Sequence, residues 1–93
     1  MNPISVNYSD QELRILVEEF IAKQRSEFSF KGICSYILYR AMEEGRTANN
    51  GIYESDQLEH KDSEKVGVIL DKIVAEGRIA CSADNSQFVK FDK

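Results

Sequence analysis

Residues 62–92 read as one amphipathic helix, a glycine stop and a two-stranded hairpin, and no other feature limits the possible folds as much. Val66, Ile69, Leu70, Ile73 and Val74 recur at the i, i+3, i+4, i+7, i+8 spacing that gathers them on one helical face. Asp62 or Ser63 supplies an N-cap oxygen, and Gly77 follows the last periodic residue, where a left-handed cap costs glycine least. The helix is therefore expected over residues 62–76. Residues 78–82 alternate, with Ile79 and Cys81 to one side. Ala83-Asp84-Asn85-Ser86 is turn chemistry, and residues 87–91 form the returning strand.

Two further helices precede this unit. Ser9 and Glu12 make an S-x-x-E capping box, with Tyr8 placed to staple onto Leu13. Leu13, Leu16, Val17, Phe20 and Ile21 then give a helical stripe over residues 10–25. Phe30, Ile33, Cys34, Ile37, Leu38 and Ala41 give a second, over residues 30–44, closed by Gly45. Phe28-Ser29-Phe30 alternates and fits a short strand over 28–30, while Ser29 equally suits the cap of the second helix. Residues 1–8, with the only proline, Pro3, read as a flexible arm, and residues 9–93 as a single domain. The connection over residues 46–61 carries an Asn50-Gly51 turn. Ile52 and Tyr53 are expected to pin it to the core. Ser55, Asp56 and Glu59 suit a short helical turn, since a connection this long is seldom structureless.

The composition excludes several classes. A chain of 93 residues, 42% of them hydrophobic, suffices for one core. No apolar run approaches the roughly 18 residues of a membrane helix. The first ten residues hold neither a basic region nor an apolar run, so no secretory signal is read and a cytoplasmic location is expected. Cys34 and Cys81 fall at apolar positions, as two buried reduced thiols or, alternatively, as a disulfide from helix to hairpin. His60 stands in an acidic stretch with no zinc-ligand spacing around it. No phosphate-cradling loop, nucleophile elbow or calcium loop is present, so neither enzyme activity, cofactor nor metal is expected. Gly67, inside the third helix, is read as allowing close helix packing.

Three helices with a small strand after the first, then a terminal hairpin, resemble the winged helix-turn-helix superfamily, an α+β fold. The residues that carry the resemblance are Leu13 to Ile21, Phe28 to Ala41, Val66 to Val74 and Ile79 to Phe91. It implies that the second and third helices form the helix-turn-helix, with the third in a DNA major groove and the hairpin as a wing against phosphate or minor groove. The residues placed to contact DNA are Lys61, Ser63, Lys65, Lys72, Arg78 and Lys90. Of these, Lys61, Lys65 and Lys72 form one line with Val68 along the helix. The chain departs from the pattern in its 46–61 connection, since a helix-turn-helix ordinarily turns in about three or four residues.

Other residues oppose double-stranded DNA as partner. The formal net charge is −4, and Glu54, Asp56, Glu59, Asp62 and Glu64 crowd the entrance of the third helix, which contains no arginine to read guanine. Its lysines equally suit a solvated face paired with Glu64, Asp71 and Glu76. A second surface offers a protein interface. Tyr36 and Tyr39 lie one turn apart, off the buried stripe and beside Arg40, while Ile15 and Val68 are off-stripe apolar residues on the neighbouring helices. The bland alternative is that the tyrosines only cover the domain's edge. The partner classes are thus duplex DNA, a second copy of the chain or another protein. They divide on whether one face gathers Lys61, Lys65, Lys72, Arg78 and Lys90 without interleaved acids.

Overall fold

The computed structural model describes residues 4–47, 58–84 and 86–90. In chain order the elements are α1 (Asp10–Lys23), β1 (Glu27–Ser29), α2 (Phe30–Glu44), α3 (His60–Ala75), β2 (Ile79–Cys81) and β3 (Gln87–Lys90). Among the described residues, three helices and a three-stranded antiparallel sheet make an α+β fold consistent with a winged-helix-like arrangement.

The helices form where apolar stripes coincide with caps. The capping box of α1 is complete: Ser9 Oγ accepts from the Glu12 amide at 3.1 Å, and Glu12 Oε1 accepts from the Ser9 amide at 3.0 Å. Ser29 serves both of its sequence readings, ending β1 and accepting the Gly32 amide at 2.9 Å as the cap of α2. Gly45 closes α2 at φ 69°, and Gly77 follows α3 at φ 77°, both left-handed conformations that suit glycine. The stripes of all three helices meet in one core that also takes in Phe28, Ile79 and Phe88.

The short strand β1 is a full member of the sheet, whose order is β1-β3-β2. Phe28 lies opposite Phe88, with the two rings stacked at 5.4 Å. Phe20 of α1 meets Phe28 edge-on at 5.9 Å, so one aromatic column fastens the sheet to the helices.

The start of the chain differs from its sequence reading. Ile4, Val6 and Tyr8 are buried in the core, so the stretch 4–8 is packed against the domain and is not a loose arm. Ile4 bridges to Leu58 and Val6 to Thr47, while the Asn7 amide donates to the Arg46 carbonyl at 2.7 Å and the Glu59 amide to the Ile4 carbonyl at 2.9 Å. The alternation of Ile4, Val6 and Tyr8 with Ser5 and Asn7 is the sequence signal for such a segment.

The start of α3 differs as well. Its N-cap position is Glu59, whose side chain makes no capping bond, and the helix begins at His60. Asp62 is consequently not a cap. It sits in the first turn, only 4% exposed, and its carboxylate accepts from the Ser5 hydroxyl and the Val6 amide, each at 3.2 Å. Ser63 Oγ donates to the His60 carbonyl at 2.8 Å. The turn at Asn50-Gly51, the pinning by Ile52 and Tyr53 and the helical turn from Ser55 and Asp56 lie outside the described residues, as do Pro3, Glu54, Asn85 and Phe91.

Gly67 does not mark a close helix approach: a β-carbon there would meet only the Phe30 ring, at an ordinary 3.9 Å. Gly67→Ala is therefore expected to raise stability by about 0.5–1 kcal/mol through helix propensity. Asp62→Ala strands the Ser5 hydroxyl and the Val6 amide, and is expected to cost about 2 kcal/mol in chemical denaturation. Asp71→Ala, at an exposed site on the same helix, should stay within about 0.5 kcal/mol of wild type.

Candidate interaction surface

The outer side of α3 bears the line of residues read from the sequence. Lys61, Lys65 and Lys72 line an open groove of about 370 Å³, whose apolar lining comes from Val68 and Ile69. Val68 is 54% exposed in the middle of the line, and Ile69 is buried beside it. Asp10, at the start of α1, and Glu64 complete the lining, so acids stand among the lysines. Lys65 Nζ is 3.7 Å from Asp10, and Lys61 Nζ is 3.9 Å from Glu59. Glu64 pairs along the helix with His60 at 2.8 Å. These partners differ from the Glu64, Asp71 and Glu76 of the solvated-face reading. Lys72 makes no ion pair among the described residues.

The other two cations read as DNA contacts lie elsewhere and are engaged. Arg78 grips both carboxylate oxygens of Glu18, one of them at 2.7 Å, and also reaches Glu76 at 3.4 Å. Arg14 closes the circuit, 2.9 Å from Glu76 and 3.4 Å from Glu18. This four-membered ring ties α1 to the end of α3. The Arg78 guanidinium holds the Glu18 carboxyl below the usual carboxylate range, and Arg14 does the same for Glu76. Lys90 Nζ donates to the Gln24 carbonyl at 2.9 Å, fastening β3 to the end of α1. The five cations therefore do not share one acid-free face.

The tyrosine surface also separates into parts. Tyr36 is half-buried, its ring 5.3 Å from Phe20, and its hydroxyl accepts from Arg40 at 3.0 Å. Arg40 further pairs with Glu19 at 3.1 Å and Glu44 at 3.0 Å. Tyr36 and Arg40 thus join α1 to α2. Tyr39 stands on the outer face of α2, 61% exposed, between exposed Ser35 and Glu43. Ile15 is 50% exposed on the outer face of α1.

Sequence reasoning gave Tyr8 only the role of a staple onto Leu13 and overlooked its partner Glu44. The Tyr8 hydroxyl donates to Glu44 at 2.7 Å, and the Arg46 guanidinium lies 5.4 Å from the Tyr8 ring centre. Burial first, then Glu44, pushes the Tyr8 phenol up. The signal was the alternation of the first residues, which places Tyr8 inward. Cys34 is a half-buried free thiol that burial pushes up to about 11, so no disulfide links α2 to the hairpin through it. Cys81, expected to be buried, is exposed, since β2 runs into the exposed turn at that residue. No group of three or more metal-binding side chains occurs among the described residues, and no helix among them is long and apolar enough to cross a membrane.

At the hairpin turn one carboxylate organises three donors. Asp84 Oδ1 accepts from the Ser82 hydroxyl at 2.6 Å, the Ser86 hydroxyl at 2.7 Å and the Ser86 amide at 3.1 Å. The Ser82 hydroxyl foremost, then Ser86, brings the Asp84 carboxyl down to about 2. A carboxylate depressed in the folded state contributes stability above its unfolded pKa and loses it as pH falls through the folded value. Stability is accordingly expected to hold above about pH 5 and to decline below about pH 4. Asp84→Asn should flatten the part of that decline between about pH 4 and pH 2, followed by denaturant midpoint against pH. Comparison with models of protein families, with curated proteins and with solved structures returned no match.

Proposed function

We propose that this chain is a non-catalytic module of the winged-helix superfamily that docks another protein through the outer side of α3, and is not a reader of duplex DNA. The observation that carries this reading is the dispersal of its cations. Arg78 is held in a ring with Arg14, Glu18 and Glu76, Lys90 is bound to a backbone carbonyl, and Asp10 and Glu64 interrupt the lysine line. Phosphate contacts supply most DNA affinity, and they need many cations gathered on one face; with Arg78 and Lys90 held elsewhere, only the three α3 lysines of the five cations remain to exchange partners, and acids stand among them. The centre of the line is an exposed valine, which has nothing to offer a phosphate and suits an apolar side chain.

Self-association is less well supported than docking of a different chain. A two-fold contact on this face would set Lys61, Lys65 and Lys72 against their own copies. On the tyrosine face, Tyr36 and Arg40 are occupied inside the domain, leaving Tyr39 as the exposed aromatic of the pair.

A titration with random duplex DNA over a range of salt concentrations tests the first half of the reading. No association tighter than about 10⁻⁴ M is expected at physiological salt; binding that is tighter and weakens steeply with added salt would sink it. Sedimentation of the wild type and of the Tyr36→Ala/Tyr39→Ala pair should give a monomer for both. A wild-type dimer lost in the variant would establish the tyrosine surface as a self-contact.

A further inference from the structure

We infer that the outer groove of α3 receives an acidic amphipathic helix of a partner protein, its apolar stripe resting on Val68 and its carboxylates meeting Lys61, Lys65 and Lys72. This rests on the docking reading above and adds the chemistry of the partner.

Three properties of the groove select that occupant. The first is charge. The chain carries −4 overall, yet the lining of this groove holds three lysines against Asp10 and Glu64, with Glu59 at its edge beside Lys61, so the negative charge of the molecule is offset here. Lysines gathered in this way attract an acidic segment and repel further copies of the lysine line. The existing pairs of Lys61 and Lys65 are long, at 3.9 and 3.7 Å, and exposed, so exchanging them for a partner's carboxylates costs little. Lys72 has no pair to exchange among the described residues.

The second property is the apolar centre. Val68 lies exposed between Lys65 and Lys72, with Ile69 lining the groove beside it. An acidic ligand without apolar side chains would leave that surface in water. A segment with leucine or phenylalanine on one face covers it.

The third property is periodicity. Lys61 to Lys72 spans about 16 Å at the helical rise, close to three turns. In the body of a helix the backbone donors and acceptors bond one another, so an extended strand finds no sheet edge to pair with there. A helix laid along α3 repeats its anchors at the same i, i+4, i+7 interval as the lysines and Val68, and recognition then runs through side chains alone.

The test uses the full chain and a labelled peptide of roughly 15 residues. The peptide is helical, with a leucine and phenylalanine stripe flanked by glutamates, and binding is read by fluorescence anisotropy. Association near 10 μM is expected. Lys65→Glu/Lys72→Glu should weaken it at least tenfold and Val68→Ser several-fold, each variant retaining the wild-type circular dichroism expected of exposed sites. A glutamine version of the peptide should lose most of its affinity. Should the charge-reversed pair fold poorly, Lys72→Gln alone serves, with about a threefold loss expected. No binding, binding indifferent to these substitutions or equal binding of the glutamine peptide overturns the inference. If the peptide fails while duplex DNA also fails to bind, this inference falls and the docking reading stands. If duplex DNA competes the peptide off, both fall.

Discussion

The placement of α3 depends on the carboxylate of Asp62. It is buried in the first turn of the helix, where the helix dipole favours a negative charge, and it accepts from the Ser5 hydroxyl and the Val6 amide. A buried carboxylate without such donors would be strongly unfavourable, so the first residues of the chain and the first turn of α3 require each other. The same segment grips the two flanks of the longest connection, because Val6 bridges to Thr47 and Ile4 to Leu58. Whatever path residues 48–57 take, α2 leaves and α3 enters from fixed points. That is how an α+β arrangement consistent with a winged helix accommodates a connection far longer than a helix-turn-helix ordinarily has.

Electrostatics in this domain serve chiefly to join elements. Arg14, Glu18, Glu76 and Arg78 link α1 to the end of α3, and Arg40 links α2 to Glu19 on α1. Single exposed pairs of this kind contribute little to stability, but each spans elements far apart in the chain. Arg14, Arg40 and Arg78 are absorbed in these links. The lysines on the outer side of α3 are left with longer contacts, and the apolar residue among them stands exposed. The contrast between these three locked arginines and the loosely paired lysines beside an exposed valine marks out that surface.

Most of the fold was legible in the residues. The stripes of Leu13 to Ile21, Ile33 to Ala41 and Val66 to Ile73 locate all three helices to within two residues at each end, because burial of one face and the caps act on the same positions. What escaped were interactions between distant parts of the chain. Asp62 resembles an N-cap in sequence and becomes a buried acceptor only because Ser5 and Val6 arrive beside it. Tyr36 lies off the buried stripe of its own helix, yet Phe20 of α1 covers it. Arg78 reads as a wing cation, and only the approach of Glu18 makes it a strut. The α3 line of Lys61, Lys65, Val68 and Lys72 was fully visible, since it depends on helical spacing alone.

The sheet order carries a kinetic consequence. Its central strand is β3, the last of the three in the chain, so β1 remains without a neighbour until residues 87–90 are present. The helices can form from local contacts, whereas pairing Phe28 with Phe88 closes a loop over most of the molecule, the kind of step that slows folding. During synthesis, Phe28 on β1 and Ile79 on β2 have their strand partners missing, and a nascent chain that stalls in the hairpin turn would expose them together. The last strand is thus the keystone of assembly: its arrival seals the aromatic column and withdraws the sheet's inner face from competing contacts.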